Sequence, residues 1–367
     1  MTTKKFKVLF WIAIAVIILS CEQSKKNKTI LQLDSLFNTV PDFSGVVLVG
    51  EQGKPVYHKA FGYQNFKTET KMDTNSIFEL ASVSKQFTAM AVMMMSEEGK
   101  LNYDDSVKKF IPDLPYSGIT IRHLLTHTSG LPDYQSIMDA HWDKSKVAGN
   151  DDCIEYLIKY HPEKRFEPGS KYEYSNTGYL LLATIAEKPS GKDFIEFLRA
   201  RVFQKLNMSN TDIRTKEVKL GISNFAWGHI YIPERNAYIP ADSFPSSNYT
   251  IWLGNRKGPG RMSSTARDLL KWDQALYSDQ LISSGTLQQA FTSFTLSNSI
   301  SNYGFGWEIQ QSTIGKVVRH SGDNPGYKTH IVRYIDKNKT IILLCNNAHK
   351  EFNPLLRGIE NIVKASQ

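Results

Sequence analysis

The chain has three cysteines in 367 residues, too few for a disulfide scaffold. Cys21 sits in the leading segment, so Cys153 and Cys345 remain, and nothing in the sequence says that they pair. There is no internal repeat and no long low-complexity linker after Lys28, so the length describes one folded unit with a large core rather than two independent domains. Long apolar runs are also missing. The run from Val8 to Leu19 stops well short of the roughly 20 residues that an ordinary membrane-spanning helix needs. Charge of one sign is not concentrated either. The net charge of +8 is modest for this length, and the basic residues are scattered apart from Lys25, Lys26 and Lys28, which excludes nucleic-acid binding as a main function. A metal-hydrolase motif is absent too. His123-Leu124-Leu125-Thr126-His127 spaces two histidines to share a helix face, but Leu124 stands where a general-base glutamate is needed and no clear third ligand follows. Neither a metal nor another cofactor is expected.

What the sequence does have is three short motifs in order: Ser82-Val83-Ser84-Lys85, Tyr174-Ser175-Asn176 and His320-Ser321-Gly322. A serine and a lysine three apart share one face of a helix, which sets an amine beside the hydroxyl that it must help to deprotonate. A tyrosine and an asparagine two apart on an extended turn point to the same side and deliver a phenol and an amide to that nucleophile. Chance copies occur in the same chain: Ser106-Val107-Lys108-Lys109 also reads Ser-x-x-Lys, and Tyr63-Gln64-Asn65 also reads Tyr-x-Asn. Context separates them. Ser82 opens the apolar run Phe87 to Met95, a buried helix ending at Gly99, whereas Ser106 lies among Asp104, Asp105, Lys108 and Lys109, on a solvated surface. A nucleophile at a helix start gains from the unpaired N–H groups and the helix dipole, which favour developing negative charge.

These residues resemble the serine penicillin-recognising enzymes, in the branch of class C β-lactamases, D-alanyl-D-alanine carboxypeptidases and related serine esterases. The likeness extends to Phe78 through Ala89, Leu124 through Pro132, Tyr174 through Tyr179, Ser263 through Leu269 and Tyr303 through Trp307, and spans about Leu31 to Asn347. The resemblance implies that Ser82 attacks a substrate carbonyl to form an acyl-enzyme, with Lys85 and Tyr174 sharing the proton traffic and Asn176 binding the amide of the acyl group. It places the oxyanion hole on the backbone N–H groups of Ser82 and Asp323, and His320, Ser321 and Gly322 against the substrate. Neither Lys nor Tyr is a useful base at a pKa of about 10, so one must be lowered. Lys85 beside the Tyr174 oxygen would favour a phenolate, and which of the two is the base stays open. His320 replaces the commoner lysine. An imidazole near pKa 6.5 is mostly neutral at pH 7, so recognition of a substrate carboxylate should strengthen as pH falls, and strong β-lactamase activity is not expected.

Lys4, Lys5 and Lys7, the short apolar run and Ile18-Leu19-Ser20-Cys21 resemble a bacterial lipoprotein export signal over residues 1–20, with Cys21 lipidated. Losing three lysines takes the net charge from +8 to +5. A tether over 21–29 would then hold the protein at the membrane of the bacterial cell envelope, on the periplasmic or outer-membrane side. Residues 30–365 form the β-lactamase-like domain. Val46 to Val49 and Pro55 to Phe61 read as a hairpin, and Val317 to His320, His330 to Ile335 and Thr340 to Cys345 as further strands, followed by a helix from Phe352 to Ala365. The expected fold is α+β, an α/β sandwich: one antiparallel sheet from both termini (about 30–80 and 300–365) flanked by helices, with a mostly helical insertion (about 81–299) and the site in the groove between them. His127 is read as holding a loop near that groove. The aromatic stretch from Phe225 to Met262 is either a wall of the groove or a small hairpin layer. The functional expectation is a serine hydrolase of peptide, β-lactam or ester substrates. The alternative is a non-catalytic peptide-binding or signalling relative that kept the fold.

Overall fold

The computed structural model describes residues 25–296 and 299–366. The export signal and Cys21 lie outside these described residues. The tether expected over 21–29 is already helical from residue 25, in a helix α1 that covers residues 25–38.

Six strands form the main sheet: β1 (Gly45–Glu51), β2 (Lys54–Phe61), β3 (Glu308–Ser312), β4 (Gly315–Asn324), β5 (Tyr327–Tyr334) and β6 (Lys339–Cys345). Their order is β3-β4-β5-β6-β1-β2, antiparallel throughout, so the two ends of the chain meet at the β1–β6 pair, where Gly45 faces Cys345. β1 and β6 are central, and their near-continuous apolar sequences have a buried neighbour on each face. Alternation then sorts the side chains into two cores. Val46, Leu48, Ile342 and Leu344 face the large helical region, while Val47, Val49, Ile341 and Leu343 face the other side. There they meet Leu33 and Phe37 of α1 and the stripe Phe352, Leu355, Leu356, Ile359 and Val363 of the C-terminal helix α5 (Phe352–Ala365). The edge strand β3 was not expected. Only Ile309 of Glu308-Ile309-Gln310-Gln311-Ser312 is buried, so the segment carries almost no periodic signal.

Three helices between the sheet halves position the site: α2 (Lys85–Glu97), α3 (Asn176–Ser190) and α4 (Ala266–Ala275). Every residue of α2 from Lys85 to Met95 is buried, as befits a helix apolar all round. It stops at Glu97, two residues before Gly99, whose φ of +68° suits glycine. The inserted region also contains a three-stranded ribbon, with Met262–Ser264 between Phe78–Glu79 and Asp212–Ile213, and a hairpin of His229–Ile232 with Ala237–Pro240. Thus the aromatic stretch does contain a hairpin.

One buried ion pair ties α4 to the sheet. Arg333 of β5 donates from Nε to the Asp273 carboxylate and from Nη2 to the Asp273 carbonyl, and neither side chain is exposed. Removing one partner of such a pair leaves an uncompensated buried charge. Asp273→Ala should therefore cost about 3–5 kcal/mol in urea unfolding, whereas replacing both partners with apolar residues of similar volume should cost far less.

Candidate active site

Ser82 lies in a 3₁₀ turn, Ala81–Ser84, that runs directly into α2, so Lys85 is the first residue of the α-helix proper. The hydroxyl is thus one turn earlier than a simple helix start, on a segment where Ala81 takes φ +48°. Lys85 is fully buried, and its Nζ lies 3.1 Å from Ser82 Oγ, 2.8 Å from Asn176 Oδ1 and 2.8 Å from the Pro259 carbonyl oxygen. Two of these three partners can only accept. A neutral amine fits the geometry: two N–H bonds to Asn176 and Pro259, and its lone pair toward the one partner that can give a proton, Ser82. Burial pushes Lys85 well below the ordinary lysine range, and the positive charge of Arg256 pushes the same way.

Tyr174 covers this amine with its ring, whose centroid is 4.7 Å from Lys85 Nζ. It keeps 41 % of its surface exposed, yet the crowded surroundings push its phenol above 10, with the Ser82 hydroxyl acting in the opposite direction. Lys85 thus meets the ring face, and the phenolate expected from an adjacent ammonium is not the favoured form. Asn176 opens α3, and Ser175 caps that helix by accepting from Gly178 N–H. Behind them His127, at φ +58°, accepts the Ser175 N–H on Nδ1 at 3.0 Å. Its buried Nε2 has no hydrogen-bond partner and lies among the rings of Tyr174, Tyr179 and Tyr303. His127 therefore holds the Tyr174–Asn176 loop, while His123 accepts the Thr120 N–H in its own helix cap. Among the described residues no group of three or more His, Cys, Asp or Glu could hold a metal.

On β4, side chains alternate. His320, Gly322 and Asn324 point inward, and Ser321 and Asp323 are exposed. Gly322 is obligatory, since a Cβ there would lie 2.2 Å from the Leu80 carbonyl oxygen and 2.3 Å from Thr329 Oγ1. That close approach brings β4 against the turn that bears Ser82, and Thr329 Oγ1 donates to the same Leu80 carbonyl. β3 pairs with β4 only as far as Arg319, leaving 320–324 without a strand on that side among the described residues.

His320 departs from its expected role. It is 1 % exposed, its Nδ1 donates to the Ser321 carbonyl at 2.7 Å, and its Nε2 accepts from the Tyr303 hydroxyl at 2.8 Å. Burial, reinforced by Lys85, lowers its pKa to about 3. The imidazole is a neutral support for Tyr303, with no nitrogen free for a substrate carboxylate. Tyr303 lies in a segment that carried the resemblance but suggested no role. Pro259 contributes a backbone carbonyl, which leaves no mark on residue identity.

Ser82, Asn176, Gln135, Arg256, Gly260 and Asp323 line a cavity of about 80 Å³. A larger one, about 430 Å³, shares Asn324 with it and is walled by Trp227, His229, Pro240 and Ile251, so the aromatic stretch is hairpin and cavity wall at once. Cys153 and Cys345 are buried and unpaired. Of the two chance motifs, Ser106 is exposed and caps the short turn Val107–Lys109, and Tyr63–Asn65 is a short strand.

The buried imidazoles make a pH signature. His127 and His320 are both held below 6.5 in the fold, so below that pH the unfolded chain binds protons that the folded one does not. Stability should be fully present above about pH 7 and fall on acidification, with a limiting slope of about 1.4 kcal/mol per pH unit for each histidine. Urea midpoints from pH 7.5 to 5 test this, and imidazole resonances of His320 should not titrate above pH 5.

Comparison with known proteins gives the family of the chain. The β-lactamase family model matches residues 33–363. Penicillin-binding protein 4* of Bacillus subtilis (strain 168) is 41 % identical over 328 residues, covering 88 % of this chain and 72 % of that protein. Protein flp of Staphylococcus aureus (strain MW2) is 27 % identical over 347 residues, 92 % of this chain and 66 % of its own length. Among solved structures, a penicillin binding protein from Bacillus halodurans superposes with a TM-score of 0.76 at 25 % identity, covering 91 % of this chain and 98 % of that one. With a family match along almost its whole described length and a relative at 41 % identity, the chain belongs to the β-lactamase family of serine hydrolases.

Proposed function

We propose that this protein cleaves an amide or ester through an acyl-enzyme on Ser82. The observation that carries the reading is the Lys85 amine, held by two obligate acceptors with its third direction on Ser82 Oγ at 3.1 Å. Lys85 takes the Ser82 proton as Oγ attacks the substrate carbonyl carbon, and the oxyanion is met by the backbone N–H groups of Ser82 and Asp323. Tyr174, a neutral phenol at the cleft, passes a proton to the leaving amine or alcohol and is reprotonated from Lys85. Water then repeats the sequence on the acyl-enzyme and frees Ser82. Asn176 offers its Nδ2 to the acyl group, because its Oδ1 is taken by Lys85. The open edge of β4 from His320 to Asn324, with the exposed Ser321 side chain, accepts an extended substrate in the manner of an added strand. Small peptides ending in D-alanine, β-lactams and simple esters all present a carbonyl that this site can acylate. The N-terminal signal and Cys21 support work at the membrane face of the bacterial cell envelope.

Ser82→Ala should lower kcat at least about a thousandfold and abolish labelling by a fluorophosphonate, while Ser106→Ala should do neither. An adduct on any other serine would end the assignment. Parallel labelling with a fluorescent penicillin sorts the substrates: reaction with the fluorophosphonate alone favours an esterase, and reaction with both favours a penicillin-recognising peptidase. No adduct with either probe would favour a non-catalytic binding protein.

Because Lys85 must be unprotonated, kcat/KM should fall as pH is lowered and the buried amine gains its proton, with the fall coming well below the ordinary lysine range. Lys85→Arg, a permanent cation at the same place, should lose at least about a hundredfold in kcat at every pH. A variant that regains activity at high pH would show that another group is the base.

Membrane partition is the check on Cys21. Wild-type protein should fractionate with membranes, and Cys21→Ala should yield an uncleaved precursor or a soluble product. An unacylated wild-type N-terminus would refute the anchor.

A further inference from the structure

A buried carboxylate stands three residues before the nucleophile and takes no part in the proton transfers. Glu79 ends the short strand Phe78–Glu79, ahead of the turn that carries Ser82, and the next residue, Leu80, donates its N–H to the Met262 carbonyl at 2.8 Å. Lys219 donates to Glu79 Oε1, Arg261 Nη1 forms an ion pair with the same oxygen at 3.7 Å, and Asn324 Nδ2 donates to Oε2 at 3.3 Å. Burial alone would raise such a carboxyl, but Lys219 and Arg261 outweigh it and hold the group at about 2, so Glu79 is ionised at neutral pH.

Two of these partners lie next to atoms that the reaction uses. Arg261 comes two residues after Pro259, whose carbonyl accepts from Lys85, and the adjacent Met262 N–H donates to Ser84 Oγ in the nucleophile turn. Arg261 also takes φ +75°, a left-handed conformation that is costly for a residue with a Cβ, and its buried Nε has no partner among the described residues. The ion pair with Glu79 offsets that cost. Asn324 follows Asp323, whose N–H is assigned to the oxyanion. The close approach of Gly322 and the Thr329 hydrogen bond fasten β4 to Leu80 on one side of Asp323, and Glu79 fastens it on the other, at Asn324. Asp323 is thus held between two fixed points. Its N–H and that of Ser82 belong to different elements, yet they must converge on one oxygen to within about 0.5 Å. We propose that Glu79 is the positioning residue of the oxyanion hole: by holding Asn324 and the strand before Ser82 on one carboxylate, it sets the distance between the Asp323 and Ser82 N–H groups. The inference rests on the acyl-enzyme reading and adds to it the group that aligns its two donors.

Replacing the carbonyl oxygen by sulfur tests the hole directly. Sulfur is larger and accepts weaker hydrogen bonds, so a closely set pair of donors favours an ester over its thionoester. The substrates are 4-nitrophenyl acetate and 4-nitrophenyl thionoacetate, with the full chain. Asn324→Ala frees β4 from Glu79 and keeps the Lys219 and Arg261 contacts. It should lower kcat/KM for the ester about tenfold and shrink the ester-to-thionoester ratio at least about fivefold. Glu79→Gln, which removes the charge, should shrink the ratio at least as far, and the double variant no further than the larger single change. A role in stability alone would lower both rates by the folded fraction and leave the ratio as it was, which is the result expected of the remote Asp273→Ala. If Glu79→Gln does not fold, Asn324→Ala decides alone. A ratio unchanged in Asn324→Ala or in a folded Glu79→Gln, or one reduced equally by Asp273→Ala, overturns the assignment. Fluorophosphonate labelling of wild type runs alongside. An adduct on Ser82 with an unchanged ratio removes only the role of Glu79; no adduct at all means that the acyl-enzyme reading has failed, and this one with it.

Discussion

A lysine with no exposed surface and no carboxylate beside it is the constraint on which the site depends. An ammonium there has no carboxylate beside it and burial disfavours its charge, whereas a free amine needs only good acceptors. The surroundings follow from that requirement. α2 is buried on all sides, so Lys85 begins inside the protein and cannot turn outward to solvent. Asn176 and the Pro259 carbonyl arrive from two other segments to fix the amine, and Thr88 donates to the neighbouring Gly258 carbonyl, holding the same stretch of backbone one helical turn later. Burial with no carboxylate beside it thus disfavours the charged form of the amine.

The strand that completes the cleft is positioned by contact. With glycine at 322 and the Leu80 carbonyl shared with Thr329, β4 and the nucleophile turn form one rigid wall. Behind it runs a neutral polar chain, from the Ser321 carbonyl through His320 to the Tyr303 hydroxyl, with His127 on the far side of the same rings. Imidazoles suit this place because each can accept one bond while carrying a proton on its other nitrogen. A lysine at 320 would put a cation close to the Lys85 amine and disfavour a proton on either group.

The sheet was legible because β1 and β6 are apolar runs of strand length and α5 has a clean helical stripe. β3 was not, since an edge strand with one buried side chain resembles a loop. Ser82, Lys85, Tyr174 and Asn176 were legible as motifs, and they do converge in space. His320 was visible but misjudged: its residue type suggests a titrating group, and only packing reveals that both nitrogens are already bonded. The Pro259 carbonyl could not be read at all, because every residue has one. Arg256 falls between these cases, since an arginine is conspicuous in sequence but the lack of a salt bridge to it among the described residues is not.

The pairing of Gly45 with Cys345 has a consequence in time as well as in space. Contacts between residues so far apart in sequence close large loops before any stabilisation is returned, which makes folding slow and dependent on the last segment to be synthesised. A chain that has emerged only as far as α4 holds Ser82 and Lys85 but lacks β4, and therefore lacks both the wall behind the nucleophile turn and the Asp323 backbone. On the proposed mechanism Ser82 is complete only once the C-terminal strands have docked, so that assembly of the sheet would act as the final step of activation.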